Sequence, residues 1–247
     1  PFYCPRYLAP DFFIGIIIIL RNLLNKLCVE VMNIMKLRFF KLTLGPLPNN
    51  VYLLGDDDTG DAVVIDPSFE SEAVLTKAEE LNWSIRQIWL THGHFDHIAG
   101  AAEIALAFDP PLPIGLHPED RDWYERGGGA SVFGLPIAQP PPPTIEFGAG
   151  MELSLSEGGA PVVNVAHVPG HSRGHVVFYC QALKALFCGD VIFREGIGRT
   201  DLEGGDLPTL LKNIREEVFS LPDETRLLPG HGPESTVGHE RTYNPFL

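Results

Sequence analysis

The sequence is poor in basic side chains. Its 247 residues contain 18 Lys and Arg against 32 Asp and Glu, so the formal net charge is −14. A protein that binds a nucleic-acid backbone needs a basic face to neutralise phosphates. This charge balance therefore argues against nucleic acid as the natural substrate.

Cysteine is also scarce. The four Cys residues show no paired spacing, so a disulfide framework is not expected and a reducing cytoplasm is the default location; they are Cys4, Cys28, Cys180 and Cys188. Cys188 stands two residues before Asp190, and both side chains share one face if the strand continues through Gly189. A thiolate ligand and a small buried core thiol are the two interpretations, and the pattern favours the core thiol.

Long hydrophobic runs are missing as well. The apolar run over residues 12–20 is far shorter than the roughly 20 residues of a spanning helix. Its flanks lack the basic region and cleavage site of a secretory signal. Residues 1–34 are therefore predicted to be an extension outside the catalytic domain. Met32 or Met35 would be the natural first residue of the protein without this extension. A membrane-associating helix over 12–20 is the alternative.

From Met35 onward, the pattern predicts a mixed α/β domain over residues 35–247. Strands are expected over 37–43, 50–54, 62–66, 87–90, 113–116, 151–155, 161–165, 175–180, 185–188 and 226–228. Helices are expected over 71–81, 98–107 and 207–219, with a helical turn region over 118–126. The Gly-rich and Pro-rich stretch over 127–143 is either a surface connector or a loop over the active site, with Phe133 and Leu135 as an apolar lid.

The most informative motif is Thr91-His92-Gly93-His94-Phe95-Asp96-His97, which follows an apolar run. Neutral imidazoles and carboxylates are the ligands that a zinc-type ion takes, and burying them without a partner is costly. In extended backbone, His92 and His94 point to one side and can reach one ion. Asp96 and His97 follow near the turn into the next helix and can face a neighbouring ion.

Three later segments repeat the pattern of an apolar segment, a tight turn and then a ligand-type side chain. His171 follows a Pro-Gly pair, Asp190 ends an apolar run, and His231 stands between glycines after another apolar pair. Ligands on loops at strand ends are held by a rigid scaffold, which a metal site requires. These segments therefore predict one site assembled from distant parts of the chain.

Together, these motifs resemble the metallo-β-lactamase superfamily. The segments 198–201 and 229–233 and the final Asn244-Pro245-Phe246-Leu247 narrow the resemblance to short glyoxalase II-like hydrolases, which lack the C-terminal helical domain of hydroxyacylglutathione hydrolase. The resemblance covers roughly residues 35–247. It implies a four-layer αββα sandwich, in which two sheets pack face to face with helices outside.

The resemblance also implies two divalent metal ions, with Zn²⁺ expected and iron or manganese as alternatives. Its ligand sets are His92, His94 and His171 for the first ion, Asp96, His97 and His231 for the second, and Asp190 as the bridge. Two ions about 3.5–4 Å apart can ionise a shared water, and the resulting hydroxide attacks an electrophilic carbonyl. Asp96 and Asp190 are accordingly the predicted catalytic carboxylates.

The ease with which a thiol leaves favours a thioester as the substrate. A thiol leaves as thiolate, with a conjugate pKa of about 8.5, and needs no strong general acid. The resemblance to glyoxalase II-like hydrolases then implies S-lactoylglutathione or a related acyl thioester as the substrate. Arg199 is predicted to bind a substrate carboxylate, and a salt bridge to Asp201 or Asp206 is the equally weighted alternative.

Other functions of the same fold stay open at this point. An iron-dependent persulfide dioxygenase shares the fold but uses one metal, whereas this chain has all seven ligand positions. A lactonase or other esterase, a β-lactamase and a non-catalytic binding module are the further alternatives. Asp66 is either an orienting partner for a ligand histidine or a plain turn residue. His175 is interpreted as lying beside the site rather than as an eighth ligand, and three further histidines are interpreted as structural, namely His117, His167 and His239.

Overall fold

The computed structural model describes residues 36–247. The predicted extension over residues 1–34, with its apolar run over 12–20, lies outside the described residues. Within residues 36–247, none of the helices combines the length and the apolar character that crossing a membrane requires.

The first sheet has six strands in chain order. The first three strands pair antiparallel and the last four pair parallel, with the third strand belonging to both groups. The strands are β1 (Leu37–Leu44), β2 (Asn49–Asp56), β3 (Asp61–Ile65), β4 (Ser84–Trp89), β5 (Ile114–Leu116) and β6 (Ile145–Glu146).

The second sheet also has six strands. They are β7 (Glu152–Leu153), β8 (Val163–His167), β9 (Val176–Cys180), β10 (Ala185–Gly189), β13 (Arg226–Pro229) and β14 (Ser235–Thr236). Their spatial order is β14-β13-β10-β9-β8-β7. A two-stranded ribbon of β11 (Ile192–Phe193) and β12 (Gly196–Ile197) follows β10.

The helices are short. They are α1 (Ser71–Glu80), α2 (Phe95–Ile98), α3 (Ala101–Leu106), α4 (Arg121–Glu125), α5 (Leu207–Asn213) and α6 (Val237–Tyr243). α5 continues into a π-helical segment over Ile214–Val218, and 3₁₀ turns lie at Pro118–Asp120, Ala130–Phe133 and Gln181–Leu183.

Alternating side chains along the strands bury both faces of each sheet. On β2, Val51 and Leu53 pack against the first layer of helices. Tyr52 and Leu54 point instead between the two sheets, where they meet residues such as Phe187. A third cluster lies between the second sheet and the segment from α5 onward. The predicted four-layer αββα sandwich is thereby confirmed.

The predicted helix over 98–107 is wrong at its start, because two helices replace it. α2 begins at Phe95, within the ligand motif, and α3 begins at Ala101. A Cβ at Gly100 would lie 2.1 Å from the carbonyl oxygen of Ser68, so only glycine permits this approach of the two chain segments. The sequence prediction also missed β6, the ribbon of β11 and β12, β14 and α6.

Candidate metal centre

The predicted ligands follow strands that end at one edge of the sandwich. β4 leads into the motif over 91–97, β10 ends one residue before Asp190, and β13 ends two residues before His231. The two sheets are tied together at this edge, where the backbone amide of Asn50 donates a 2.6 Å hydrogen bond to the carbonyl of Gly230. The candidate site is therefore a junction between two sheets, and its side chains come from a rigid scaffold.

The first group contains His92, His94 and His171, all of which are buried. The Nε2 atom of His171 lies 3.3 Å from His92 Nε2 and 2.8 Å from His94 Nδ1. Two nitrogens bound to one tetrahedral zinc at about 2.0–2.1 Å are separated by about 3.3 Å. The separations of these nitrogen atoms are therefore close to those that binding to one ion requires.

The second group contains Asp96, His97 and His231. The Oδ2 atom of Asp96 lies 3.1 Å from His231 Nε2 and 3.7 Å from His97 Nε2. Asp190 stands between the groups, because its carboxylate oxygens lie 3.7 Å from His171 Nε2, 3.4 Å from His97 Nε2 and 3.6 Å from His231 Nε2. The structure thus brings all seven predicted side chains together and puts Asp190 where a bridge is expected.

Three buried atoms of the predicted ligands have no hydrogen-bond partner, and one of them is Nε2 of His94. The other two are Nε2 of His97 and Oδ1 of Asp190, which face each other at 3.4 Å. A buried polar atom without a partner costs about 1–3 kcal/mol. A cation between the two atoms would satisfy both, so the residues present fit a bound metal.

The electrostatics differ between the two groups. Burial lowers the pKa of His94 to about 3, and neighbouring His171 adds to this effect. Burial also lowers the pKa of His92 and of His171, so the first group presents neutral imidazoles. Burial alone would lower the pKa of His97 as well, but the charges of Asp190 and Asp96 raise it. The second group is therefore a cluster of opposite charges.

Asp66 orients one ligand of the second group. Its Oδ2 atom lies 3.0 Å from His97 Nδ1, and its carboxylate also accepts hydrogen bonds from the backbone amide and the hydroxyl of Thr91. Its φ of +51° lies in the left-handed region, which Asp tolerates better than most residues. Of the two interpretations that the sequence left open, the structure favours the orienting partner over the plain turn residue.

Asp120 is a functional candidate that sequence reasoning missed. Its buried carboxylate accepts hydrogen bonds from the backbone amide of Gly93 at 3.0 Å, from the Ser172 hydroxyl at 2.6 Å and from the backbone amide of Gly174 at 2.6 Å. It therefore ties the loop of His92 and His94 to the loop of His171. An acidic residue in a polar helical turn gives no sequence signal for such a role.

His175 and Cys188 lie beside the centre and outside its ligand groups. His175 is buried, stacks on His92 with centroids 4.7 Å apart, and accepts a hydrogen bond from the backbone amide of Asp190 at 3.1 Å. The Cys188 side chain packs in the core between the second sheet and α5, and burial raises the pKa of its thiol. These positions agree with a supporting histidine and a core thiol.

A third His-rich group lies elsewhere and contains His117, Glu119 and His167. The two imidazole rings are stacked, with centroids 4.1 Å apart and an angle of 13° between their planes. The Nε2 atom of His167 lies 2.8 Å from the carbonyl oxygen of Arg173. His239 pairs instead with Glu195 at 3.0 Å. The three histidines thus have structural contacts, as the sequence interpretation expected.

A cavity of about 570 Å³ opens above the cluster. Phe133 lines it and Leu135 does not, so the Gly-rich stretch is a wall of the site rather than a distant connector. Arg199 also lines the cavity, and its guanidinium binds Asp201 with two hydrogen bonds of 2.7 and 2.8 Å. The structure therefore shows the predicted salt bridge to Asp201 at the place where a substrate contact was predicted.

Comparison with known proteins agrees with this geometry. The family model of the metallo-beta-lactamase superfamily matches residues 44–231. The chain is 35% identical to the probable metallo-hydrolase YqgX of Bacillus subtilis (strain 168), over 85% of this chain and 98% of that protein. It is 36% identical to the hydroxyacylglutathione hydrolase GloC of Haemophilus influenzae, over 77% and 89%. The crystal structure of TTHA1623 in a di-iron-bound form is 40% identical, with a TM-score of 0.76 over 84% of this chain and 100% of that chain.

Proposed function

The chain belongs to the metallo-beta-lactamase superfamily, and from this premise we propose that it hydrolyses acyl thioesters such as S-lactoylglutathione with two divalent ions. The observation that carries the proposal is the position of Asp190 between two complete groups of ligand-type side chains. The similarity to GloC supports a thioester as the substrate, since that relative is named a hydroxyacylglutathione hydrolase.

We propose that His92, His94 and His171 hold one ion and that Asp96, His97 and His231 hold the other. A bound pair of such ions would lower the pKa of a bound water to about 7. The ions would also polarise the carbonyl oxygen of the substrate. Asp190 lies between the two groups and would be the carboxylate that both ions share. Zn²⁺ suits these nitrogen and oxygen donors, and the di-iron form of TTHA1623 supports iron as an alternative.

The lining of the cavity supports a leaving group that departs without a proton. Its titratable side chains are those of the proposed ligands and Arg199; Tyr, Lys, Glu and Cys are missing among the described residues that line it. An amide nitrogen needs a proton donor to leave, whereas a thiolate with a conjugate pKa of about 8.5 does not. Thioesters and activated esters are therefore favoured over peptides.

We propose that Arg199 binds a carboxylate of the thiol part of the substrate. The guanidinium fork matches a carboxylate with two hydrogen bonds, and Asp201 already occupies it in this way. A substrate carboxylate would exchange with Asp201 at a side chain that is about half exposed. We also propose a reducing cytoplasm as the location, because Cys180 and Cys188 are free and buried.

A hydrolysis screen tests this function. The zinc-loaded full chain is offered S-lactoylglutathione, a lactone and a β-lactam. Thiol release from the thioester is followed with a chromogenic thiol reagent, and formation of the carboxylic acid from the other two compounds with a pH indicator. We expect turnover of the thioester and much slower turnover of the other two. An oxygen-uptake assay of iron-loaded protein with glutathione persulfide tests the dioxygenase alternative. Oxygen uptake without thioester hydrolysis would overturn the proposal.

A further inference from the structure

Resting on the proposed hydrolase function, we propose that the cavity selects thioesters with a bulky apolar acyl group, most favourably an aromatic one. Five of the apolar side chains that line it come from three separate segments of the chain, namely Leu47, Phe95, Trp123, Val132 and Phe133. Here "apolar wall" means these five side chains. Within the proposed class of acyl thioesters, such a wall favours an aromatic or branched acyl group over the lactoyl group.

The apolar wall stands directly beside the ligand cluster. The ring of Trp123 meets the ring of His94 edge to face, with centroids 6.0 Å apart. The ring of Phe95, which follows His94 in the chain, lies 5.0 Å from the ring of Phe133. A carbonyl carbon that reacts at the cluster therefore has its own substituent within reach of aromatic surface.

Three members of the apolar wall are unusually exposed for side chains of their kind. Val132 is 81%, Phe133 45% and Leu47 39% exposed. Single exposed apolar side chains are ordinary, but several around one cavity mark a binding surface. A ligand that covers them gains free energy roughly in proportion to the apolar area removed from water. A lactoyl group carries one methyl and can cover only a small part of this surface.

The apolar wall is formed before any ligand arrives. The carbonyl of Gly128 accepts a 3.0 Å hydrogen bond from the backbone amide of Phe95, and a Cβ on Gly128 would lie 2.5 Å from the Gly93 oxygen. The segment that bears Phe133 is thus fixed against the ligand loop. The guanidinium of Arg126 covers Trp123 at 4.9 Å. A preformed wall loses little conformational entropy on binding, which favours selectivity.

Charge in the cavity gives no comparable selection for the thiol part. Arg199 is the cation among the described residues that line the cavity, and Asp201 already neutralises it. Arg126, near the same wall, is paired with Glu203 at 3.0 Å. A charged thiol part must displace a carboxylate before it gains a contact, whereas an apolar acyl group displaces only water.

The test uses two thioesters that share the glutathione thiol and the 2-hydroxyacyl group. S-mandeloylglutathione differs from S-lactoylglutathione by a phenyl in place of a methyl. We expect kcat/KM to be about tenfold or more higher for the mandeloyl compound, as pocket discrimination between apolar groups allows. Phe133→Ser should lower kcat/KM for the mandeloyl compound about tenfold and for the lactoyl compound much less. Phe133→Leu should retain most of the preference.

Phe246→Ser is the matched control, since Phe246 is 54% exposed and lies outside the cavity lining. It should leave both kcat/KM values unchanged, and circular dichroism checks that every variant is folded. Equal kcat/KM for the two thioesters, or an equal loss for both in Phe133→Ser, would overturn the inference while the hydrolase function stands. Failure of the zinc-loaded chain to hydrolyse either thioester would overturn the function itself.

Discussion

Asp66 Oδ2 lies 3.0 Å from His97 Nδ1, although 31 positions separate the two residues in the sequence. This contact fixes which nitrogen of His97 faces the cluster, because Nδ1 is occupied and Nε2 is left pointing at Asp190. Carboxylates that orient ligand histidines in this way are worth roughly 10- to 100-fold in metal affinity.

Asp66→Asn should therefore weaken binding at the second group of ligands by about 10- to 100-fold. An amide at this position can turn its NH₂ toward His97 and no longer fixes the tautomer. Competition with a chromophoric chelator measures the affinity of each site. Asp122→Asn, at an exposed position on α4, is the control that should leave both affinities unchanged. Two unaltered affinities in Asp66→Asn would show that this carboxylate serves only the turn.

Asp120→Ala should destabilise the fold and loosen the first group of ligands. Without its carboxylate, the amides of Gly93 and Gly174 and the Ser172 hydroxyl lose their acceptor. At about 1–3 kcal/mol for each buried unsatisfied group, a loss of about 3 kcal/mol or more is expected in the free energy of unfolding. Urea unfolding of the metal-loaded chain checks the stability. A loss below 1 kcal/mol with an unchanged metal content would contradict the role of Asp120 in tying the two ligand loops together.

Asp190→Ala should lower the occupancy of both sites, because Asp190 lies between the two groups. Elemental analysis of the purified variant gives the number of ions per chain. His231→Ala is the informative comparison, since His231 belongs to the second group and should mainly affect one ion. Two tightly held ions and full activity in Asp190→Ala would exclude the bridge.

Arg199→Ala should raise KM for S-lactoylglutathione with a smaller change in kcat, the pattern of lost uniform binding. A hydrogen bond to a charged group is worth about 1.5–3 kcal/mol. Because Arg199 is already paired with Asp201, we expect the loss in kcat/KM to lie near the lower limit of this range, at about tenfold. An uncharged short thioester should be nearly unaffected. Asp201→Asn frees the guanidinium and should lower KM for the charged substrate. Equal losses for charged and uncharged thioesters in Arg199→Ala would show that Arg199 is structural.

The strand pattern predicted most of the fold because each sheet buries both faces. β2, β3 and β10 are buried along almost their whole length and each contains a run of apolar residues, and such runs are visible in a sequence. The ligand motifs were visible for a related reason, since each follows the end of a strand through a turn; these strands are β4, β8, β10 and β13. The short ribbon of β11 and β12 carries no such run, and its two-residue strands depend on tertiary contacts.

The features that support the site were harder to predict. The break between α2 and α3 lies at Gly100, which the Ser68 carbonyl of a distant segment approaches closely. The role of Asp120 likewise depends on Gly93 and Gly174, which are 27 and 54 residues away. A pattern of residue types along the chain reports local periodicity and turn chemistry. It contains no information about which buried carboxylate will meet which backbone amide.

The most direct measurement is a metal titration of the metal-free chain that follows thioester hydrolysis and metal binding together. Zn²⁺ is added in small steps, bound metal is measured after each step, and the initial rate with a saturating acyl glutathione thioester is recorded. We predict that the rate rises to a plateau at two bound ions per chain, because both groups and Asp190 are needed for the reaction. A plateau at one bound ion, or no hydrolysis with both sites filled, would contradict a binuclear thioester hydrolase.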